Sequence, residues 1–260
     1  MFTPAPGQGF SPVKAEPKTP ALANLPEIHL SAEKLPSKGL SYPAGCEISY
    51  RPYSFGEVKK VSQSKMTAKA AYQEVLSGIS CSFGPENLTM SDFLFIGLLR
   101  KISTLGSSKA TVIYRCAGCF KENSAFLNSS QMEFEDVAIP SVPAKVSLQA
   151  GEFLFGFPTV GALIHLESLG KSEDPVHILA SACVSHSIEE MVPIIDSCMG
   201  EDSATLEQLD SLLFHGLKPS TFKCSHCEHK NSIELDGGQA LIMPFRGDAE
   251  PSKSRISFGP

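Results

Sequence analysis

One spacing constrains this chain more than any other. The pattern C-x2-C-x3-N-S-x2-L begins at Cys116 and is repeated from Cys224, so that Cys119, Asn123, Ser124 and Leu127 are matched by Cys227, Asn231, Ser232 and Leu235. An aromatic-basic pair precedes each copy, Tyr114-Arg115 in one and Phe222-Lys223 in the other. Two residues between cysteines let backbone amides turn around a metal while both sulfurs point inward, and two such knuckles supply the four thiolates of a tetrahedral zinc site. The expectation is therefore one structural Zn2+ held by Cys116, Cys119, Cys224 and Cys227, each pair at the turn of a β-hairpin. Reduced metal-free cysteines, bound iron or a redox disulfide are the competing readings, and His226 and His229 stand close enough in sequence to substitute as ligands. A shared ion would join the strand unit around residues 110–127 to the unit around 220–245, and the intervening chain adds little loop-closure entropy if it folds by itself.

Composition narrows what surrounds this clasp. A chain of 260 residues that is 42% hydrophobic can bury a sizeable core in one or two domains. The formal charge of −6 disfavours an extended phosphate-binding surface, so nucleic acid is not the expected partner. The sequence carries neither a basic segment leading into an apolar core at its start nor a run of about 18 apolar residues, which argues against secretion and a membrane span. In that setting paired cysteines read as metal ligands before disulfides. Cys46, Cys81, Cys183 and Cys198 lack paired spacing and read as small buried hydrophobes.

The expected fold class is α+β: helices mixed with short β-strands, closed by the zinc-knuckle site, with an extended N-terminal arm. Residues 1–36 form the arm, holding seven of the nineteen prolines, which resist helix and sheet and favour extended chain. Residues 37–246 form the body, with a helical insertion at about 159–216 between the knuckles, and residues 247–260 form a C-terminal tail. Within the body, a short strand is expected at Glu47–Arg51. A helix should carry Ala71, Tyr72, Val75, Leu76 and Ile79 on one stripe, and a second, capped by Thr89 or Ser91 with Asp92 in its first turn, should end near Arg100 and Lys101. Strands are expected at Thr111–Tyr114, Met132–Val137, Lys145–Leu148 and Phe153–Phe157, then helices over Val160–Leu169, over Val176–Val184 behind Asp174-Pro175, and around Leu206–Leu213 with Thr205 and Gln208 at capping-box spacing.

Catalysis finds little footing. His165-Leu166-Glu167 followed by Cys224-x-x-Cys227 superficially matches a zinc deaminase, but Lys223 stands where that signature has proline, and Cys116 and Cys119 would be left idle. A closed four-cysteine site also has no open position for water. Neither C-x-x-C lies in a βαβ context, and no phosphate-binding loop or nucleophile elbow is present. The charges of Arg51, Arg100, Lys101 and Arg115 read first as solvated surface or helix-end charge, and second as interface charge.

The order of the remaining motifs points to a family. Leu35-Pro36-Ser37-Lys38-Gly39, Tyr50-Arg51-Pro52, the helix from Asp92-Phe93-Leu94 to Leu98-Leu99-Arg100, Cys116-x-x-Cys119, Phe157-Pro158-Thr159 and Cys224-x-x-Cys227 succeed one another over roughly residues 33–246. This resembles the T4-type bacteriophage baseplate hub and hub-assembly proteins. The resemblance implies a non-catalytic structural component of a contractile-tail baseplate, in the central hub, or alternatively a hub assembly chaperone absent from the mature virion. It implies other hub and tail-tube proteins as partners in a symmetric assembly, and residence in the host cytoplasm during assembly and then in the virion tail. The chain departs from the family in its proline-rich arm and in a second knuckle without the proline and glycine common there.

Overall fold

The computed structural model describes residues 26–63, 66–105, 109–128, 133–139, 141–213, 216, 218–233 and 254–257. The first strand, β1 (Ile28–Leu30), lies ahead of the body's expected start at Ser37 and pairs antiparallel with β2 (Ile48–Tyr50). A short 3-10 turn follows, and Leu35 is completely buried. Residues 26–36 thus belong to the folded body, which corrects the boundary of the arm. Proline composition misled there because Pro26 and Pro36 flank the paired segment, where no ladder N–H is required. The rest of the expected arm, residues 1–25, lies outside the described residues.

Strand β2 is the centre of its sheet, with β3 (Ile79–Cys81) on its other side, and all three of its residues are buried. Helices α1 (Phe55–Gln63), α2 (Ala68–Leu76) and α3 (Met90–Leu105) accompany this sheet. Thr67 caps α2 through a 3.2 Å hydrogen bond from the Ala70 amide, and Thr89 accepts from the Asp92 amide at the start of α3. Ile79, expected on the α2 stripe, instead opens β3, because the chain turns at Ser77-Gly78. Leu35, Ile48, Val75, Leu88, Phe93 and Ile96 make the first core.

The chain then forms β4 (Lys109–Arg115), β5 (Glu122–Asn128), β6 (Ala144–Leu148) and β7 (Gly151–Phe155), followed by α4 (Val160–Ser168), α5 (Pro175–Ser181), α6 (Ile188–Ser197) and α7 (Glu201–Leu213). The helical segment is not a unit of helices alone. The β6–β7 hairpin turns Val146, Leu148, Phe153 and Phe155 inward, and these pack with Leu179, Met191, Leu206 and Leu209 into a second core. Helix α4 joins the two halves: Val160 is buried in the first core, the Val160 amide donates to the Leu88 carbonyl, and the Met90 amide donates to the Pro158 carbonyl.

Helix α6 had no counterpart in the sequence reading, since Pro193 lies inside it, yet Ser187 and Glu190 form a complete capping box that signals its start. The Thr205 hydroxyl donates to the Glu201 carbonyl, so Thr205 is interior to α7 and not its cap. The strand expected at 132–137 is not formed; Met132 is outside the described residues, and 133–139 carry only a single-residue bridge. Strands β8 (Ser220–Lys223) and β9 (Lys230–Ile233) make the final hairpin. Within the expected tail, β10 (Ser254–Ser257) pairs antiparallel with β4, so this part is sheet; residues 247–253 and 258–260 are outside the described residues. The fold is α+β, with small antiparallel sheets throughout.

Candidate metal centre

The sequence repeat becomes a repeat of structure. Cys116 and Cys119 occupy the turn between β4 and β5, where Arg115 pairs with Glu122 and Tyr114 with Asn123. Cys224 and Cys227 occupy the turn between β8 and β9, where Lys223 pairs with Lys230 and Phe222 with Asn231, at the same offsets. In each turn the first cysteine's amide donates across the hairpin, Cys116 to the Lys121 carbonyl at 3.0 Å and Cys224 to the His229 carbonyl at 2.9 Å. The amide two residues after that cysteine donates to its sulfur, Gly118 to Cys116 Sγ and His226 to Cys224 Sγ, both at 3.3 Å. Such N–H donors favour thiolate over thiol.

The turns face each other with their sulfurs converging. Cys116 Sγ lies 3.7 Å from Cys227 Sγ, Cys119 Sγ lies 3.5 Å from Cys224 Sγ, and all four sulfurs fall within 4.8 Å of one another. Metal–sulfur bonds of about 2.3 Å place the sulfurs of a tetrahedron about 3.8 Å apart, so this separation suits one tetrahedral ion. It is far too long for a disulfide bond of about 2.05 Å, and all four cysteines are free.

Electrostatics favour a cation there. Burial raises the Cys116 thiol, but the amides of Cys119 and Gly118 and the side chain of Asn231 outweigh it and bring it down to about 6. Cys224 is likewise lowered, against its burial, by the His226 and Cys227 amides. Cys227 is pushed up to about 12: the His229 amide lowers it, but burial and the neighbouring sulfurs Cys119, Cys116 and Cys224 win. The protein therefore favours thiolate at Cys116 and Cys224 and opposes it at Cys227, a conflict that a divalent ion would remove by supplying positive charge.

Side chains around the sulfurs hold the hairpins together. Tyr114 and Phe222, equivalent positions in the two copies, stack with ring centroids 5.8 Å apart, and the Tyr114 hydroxyl donates to the Lys223 carbonyl at 3.0 Å. His226 and His229 are exposed and stand outside the sulfur cluster. Gly118 makes room for the opposite knuckle, since a Cβ there would lie 2.9 Å from Cγ of His229. His165 and Glu167, the deaminase-like pair, sit on α4 and are not part of the cluster.

Both turns close on a non-glycine residue in the left-handed region, Phe120 at φ 61° and Glu228 at φ 58°. That conformation costs an L-residue about 1–2 kcal/mol, and glycine would relieve it while giving part of the gain back through its greater unfolded-state entropy. Phe120 is largely exposed and has little packing to lose. Phe120→Gly is expected to raise stability by about 0.5 kcal/mol net, read as a higher denaturant midpoint; a lower midpoint would show that the aromatic ring is worth more than the strain.

A second polar cluster gathers around the buried Arg100 of α3. Arg100 and Lys101 are buried well inside α3, which runs on to Leu105, correcting the reading of both as surface or helix-end charges. Burial holds Lys101 down to about 7. The Arg100 guanidinium donates to the Arg51, Glu74 and Val75 carbonyls at 2.8–2.9 Å, pairs with Glu57 at 2.9 Å, and lies 3.7 Å from the ring centroid of Tyr53. Glu57 also takes a two-point contact from Arg51 at 2.7 Å. Arg115, by contrast, is exposed. Nearby, buried Asp92 accepts from the Ser37 amide at 2.8 Å and from the Ser37 and Tyr42 hydroxyls. Burial raises the Asp92 carboxyl even though those donors lower it.

These contacts tie several of the family-like motifs to one another. Ser37 of the first motif is bonded to Asp92 of the third, the Arg51 carbonyl of the second is held by Arg100 at the end of the third, and Thr159 of the fifth caps α4. The motifs are spent on internal structure. Asn123, Asn231, Glu57, Gly78 and Tyr42 were not assigned roles from sequence; only the two asparagines carried a signal, as matched positions in the repeat.

What these features define is a small α+β protein whose two hairpins converge on a four-cysteine cluster. A family model described as T4 bacteriophage base plate protein matches residues 26–243. The chain belongs to this family of phage baseplate proteins. No curated protein and no solved structure matches it significantly.

Proposed function

We propose that the chain is a structural subunit of the central hub of a contractile-tail baseplate, acting through protein–protein contacts, with a zinc ion bound by Cys116, Cys119, Cys224 and Cys227. The observation that carries the baseplate part of this reading is the family match over residues 26–243, and the hub position rests on the order of the motifs in the sequence. The metal part rests on four free cysteine sulfurs at tetrahedral spacing. Zinc suits an all-thiolate tetrahedral set and leaves no open position for a reacting water, so its role in this reading is architectural, not catalytic. The body is taken as one clasped unit from about residue 26 to 246.

Partners under this reading are other hub and tail-tube proteins, arranged symmetrically, met first in the host cytoplasm and then in the virion. Among the described residues no helix is long and apolar enough to cross a membrane. The proline-rich residues 1–25 suit an arm laid along a neighbour, where a large wrapped interface offsets the entropy of ordering it.

Quantitative mass spectrometry of purified virions tests the assignment. The protein is expected at a fixed ratio to the other hub subunits, and deleting residues 1–25 is expected to lower its incorporation at least about tenfold while leaving its melting temperature unchanged. Absence from virions, with presence in assembly intermediates, would replace this reading with that of an assembly chaperone.

A further inference from the structure

The two knuckles do more than face each other: they exchange asparagines. Asn123 Oδ1 accepts from the Ser225 amide at 3.0 Å and the Ser225 hydroxyl at 2.9 Å, both in the opposite knuckle. Asn231 Oδ1 accepts from the Ala117 amide at 2.8 Å, in the first knuckle. Ala117 and Ser225 hold the same position in the repeat, directly after the first cysteine. Each asparagine also uses its Nδ2 to close its own turn, Asn123 onto the Lys121 carbonyl at 3.1 Å and Asn231 onto the His229 carbonyl at 3.0 Å. Both are buried, at 5% and 6% exposure, and each has partners on both its amide atoms. A side chain with a donor end for its own turn and an acceptor end for the other hairpin meets this need, and no charged residue does.

From this reciprocal geometry we infer that Asn123 and Asn231 are positioning residues that dock the two hairpins and set the sulfur tetrahedron before any metal arrives. The inference rests on the metal reading only for its effect on affinity; the docking itself does not. By fixing the backbone just after Cys116 and Cys224, the pair determines where the first sulfur of each knuckle points. Outer partners of this kind tune metal affinity by holding ligands in place. The roles are not identical. Asn231 Nδ2 also lies 3.6 Å from Cys116 Sγ, so this asparagine touches a ligand atom as well as the opposite turn.

The test uses the full chain, with Co2+ as the probe. Wild type should take up one Co2+ with the charge-transfer spectrum of a tetrathiolate. Asn123→Ala and Asn231→Ala should each weaken Co2+ by about 10- to 100-fold in chelator competition, and only the second should shift the sulfur-to-cobalt band. In chelator-treated protein, residue-resolved amide exchange should show the effect in trans: Asn231→Ala speeds exchange at Ala117, and Asn123→Ala at Ser225, by about tenfold. Each effect should be confined to the opposite turn, whereas general unfolding would speed exchange throughout both hairpins, which separates positioning from general unfolding. Trans deprotection without Co2+ uptake by wild type would defeat the metal reading and leave the docking role standing. Normal Co2+ uptake with unchanged affinity and no trans deprotection would overturn the asparagine role.

Discussion

Replacing Arg100 by alanine is expected to lower the unfolding free energy by about 3–5 kcal/mol, because it strands buried acceptors and leaves Glu57 without its buried partner. For a protein of this size that is a drop of about 10 °C in melting temperature. Arg100→Lys should fare nearly as badly, since an ammonium on a flexible stem cannot donate to the Arg51, Glu74 and Val75 carbonyls and to Glu57 in one plane. Gly78→Ala tests the same pocket from the other side, where a Cβ would fall 2.1 Å from the guanidinium carbon. Acid should erode this cluster in a defined window. Burial works against ionised Glu57, but Arg51, Ser54 and Arg100 outweigh it and hold its carboxyl at about 2, below its ordinary 4.5. A depressed carboxyl contributes stability that is complete above about 4.5 and is lost as pH falls towards 2. Chemical denaturation across that range measures it, and an Arg100→Ala variant within about 1 kcal/mol of wild type would refute the account.

The other large effect concerns the cysteines. Purified protein should carry about one zinc per chain, and Cys224→Ser should reduce this below about 0.3, because an alcohol is a poor replacement for a thiolate at a tetrahedral zinc. Where free zinc exceeds its dissociation constant a thousandfold, the ion stabilises the fold by about 4 kcal/mol, and the variant or chelator-treated protein should lose that amount. The loss should concentrate in hairpins β4–β5 and β8–β9, since among the described residues the two hydrophobic cores draw none from the clasp. Particle incorporation should fall with it. Wild-type protein with under about 0.3 zinc per chain and no response to chelation would remove the metal from the reading.

Much of the site was legible in the residues themselves. A repeated C-x2-C spacing with matched flanking residues specifies two like turns, and the sulfurs of two like turns can converge in only a few ways. Helix α5 was equally plain, because Asp174 and Pro175 act locally and Asp174 does accept from the Val176 and His177 amides. Arg100 and Lys101 were misread because a helical cation looks the same from sequence whether its surroundings are water or carbonyls. Glu57, Gly78 and the Arg51 backbone come to it from separate elements, and nothing local announces that they meet. The body's start failed for a related reason: β1 has only three residues, and its identity as strand depends on pairing with β2, not on its own propensity.

The sequence by itself determined the cysteine set, the two turns that carry it, the α+β character and the family resemblance. These follow from spacing and order, which are properties of the chain alone. Tertiary structure decided that the knuckles face each other across exchanged asparagines, that Arg100 and Asp92 are buried and bonded to motifs far away in sequence, and that the β6–β7 hairpin belongs to the core of the helices after it. Each of those depends on which distant groups satisfy a buried donor or acceptor, and burial is a property of the packed whole.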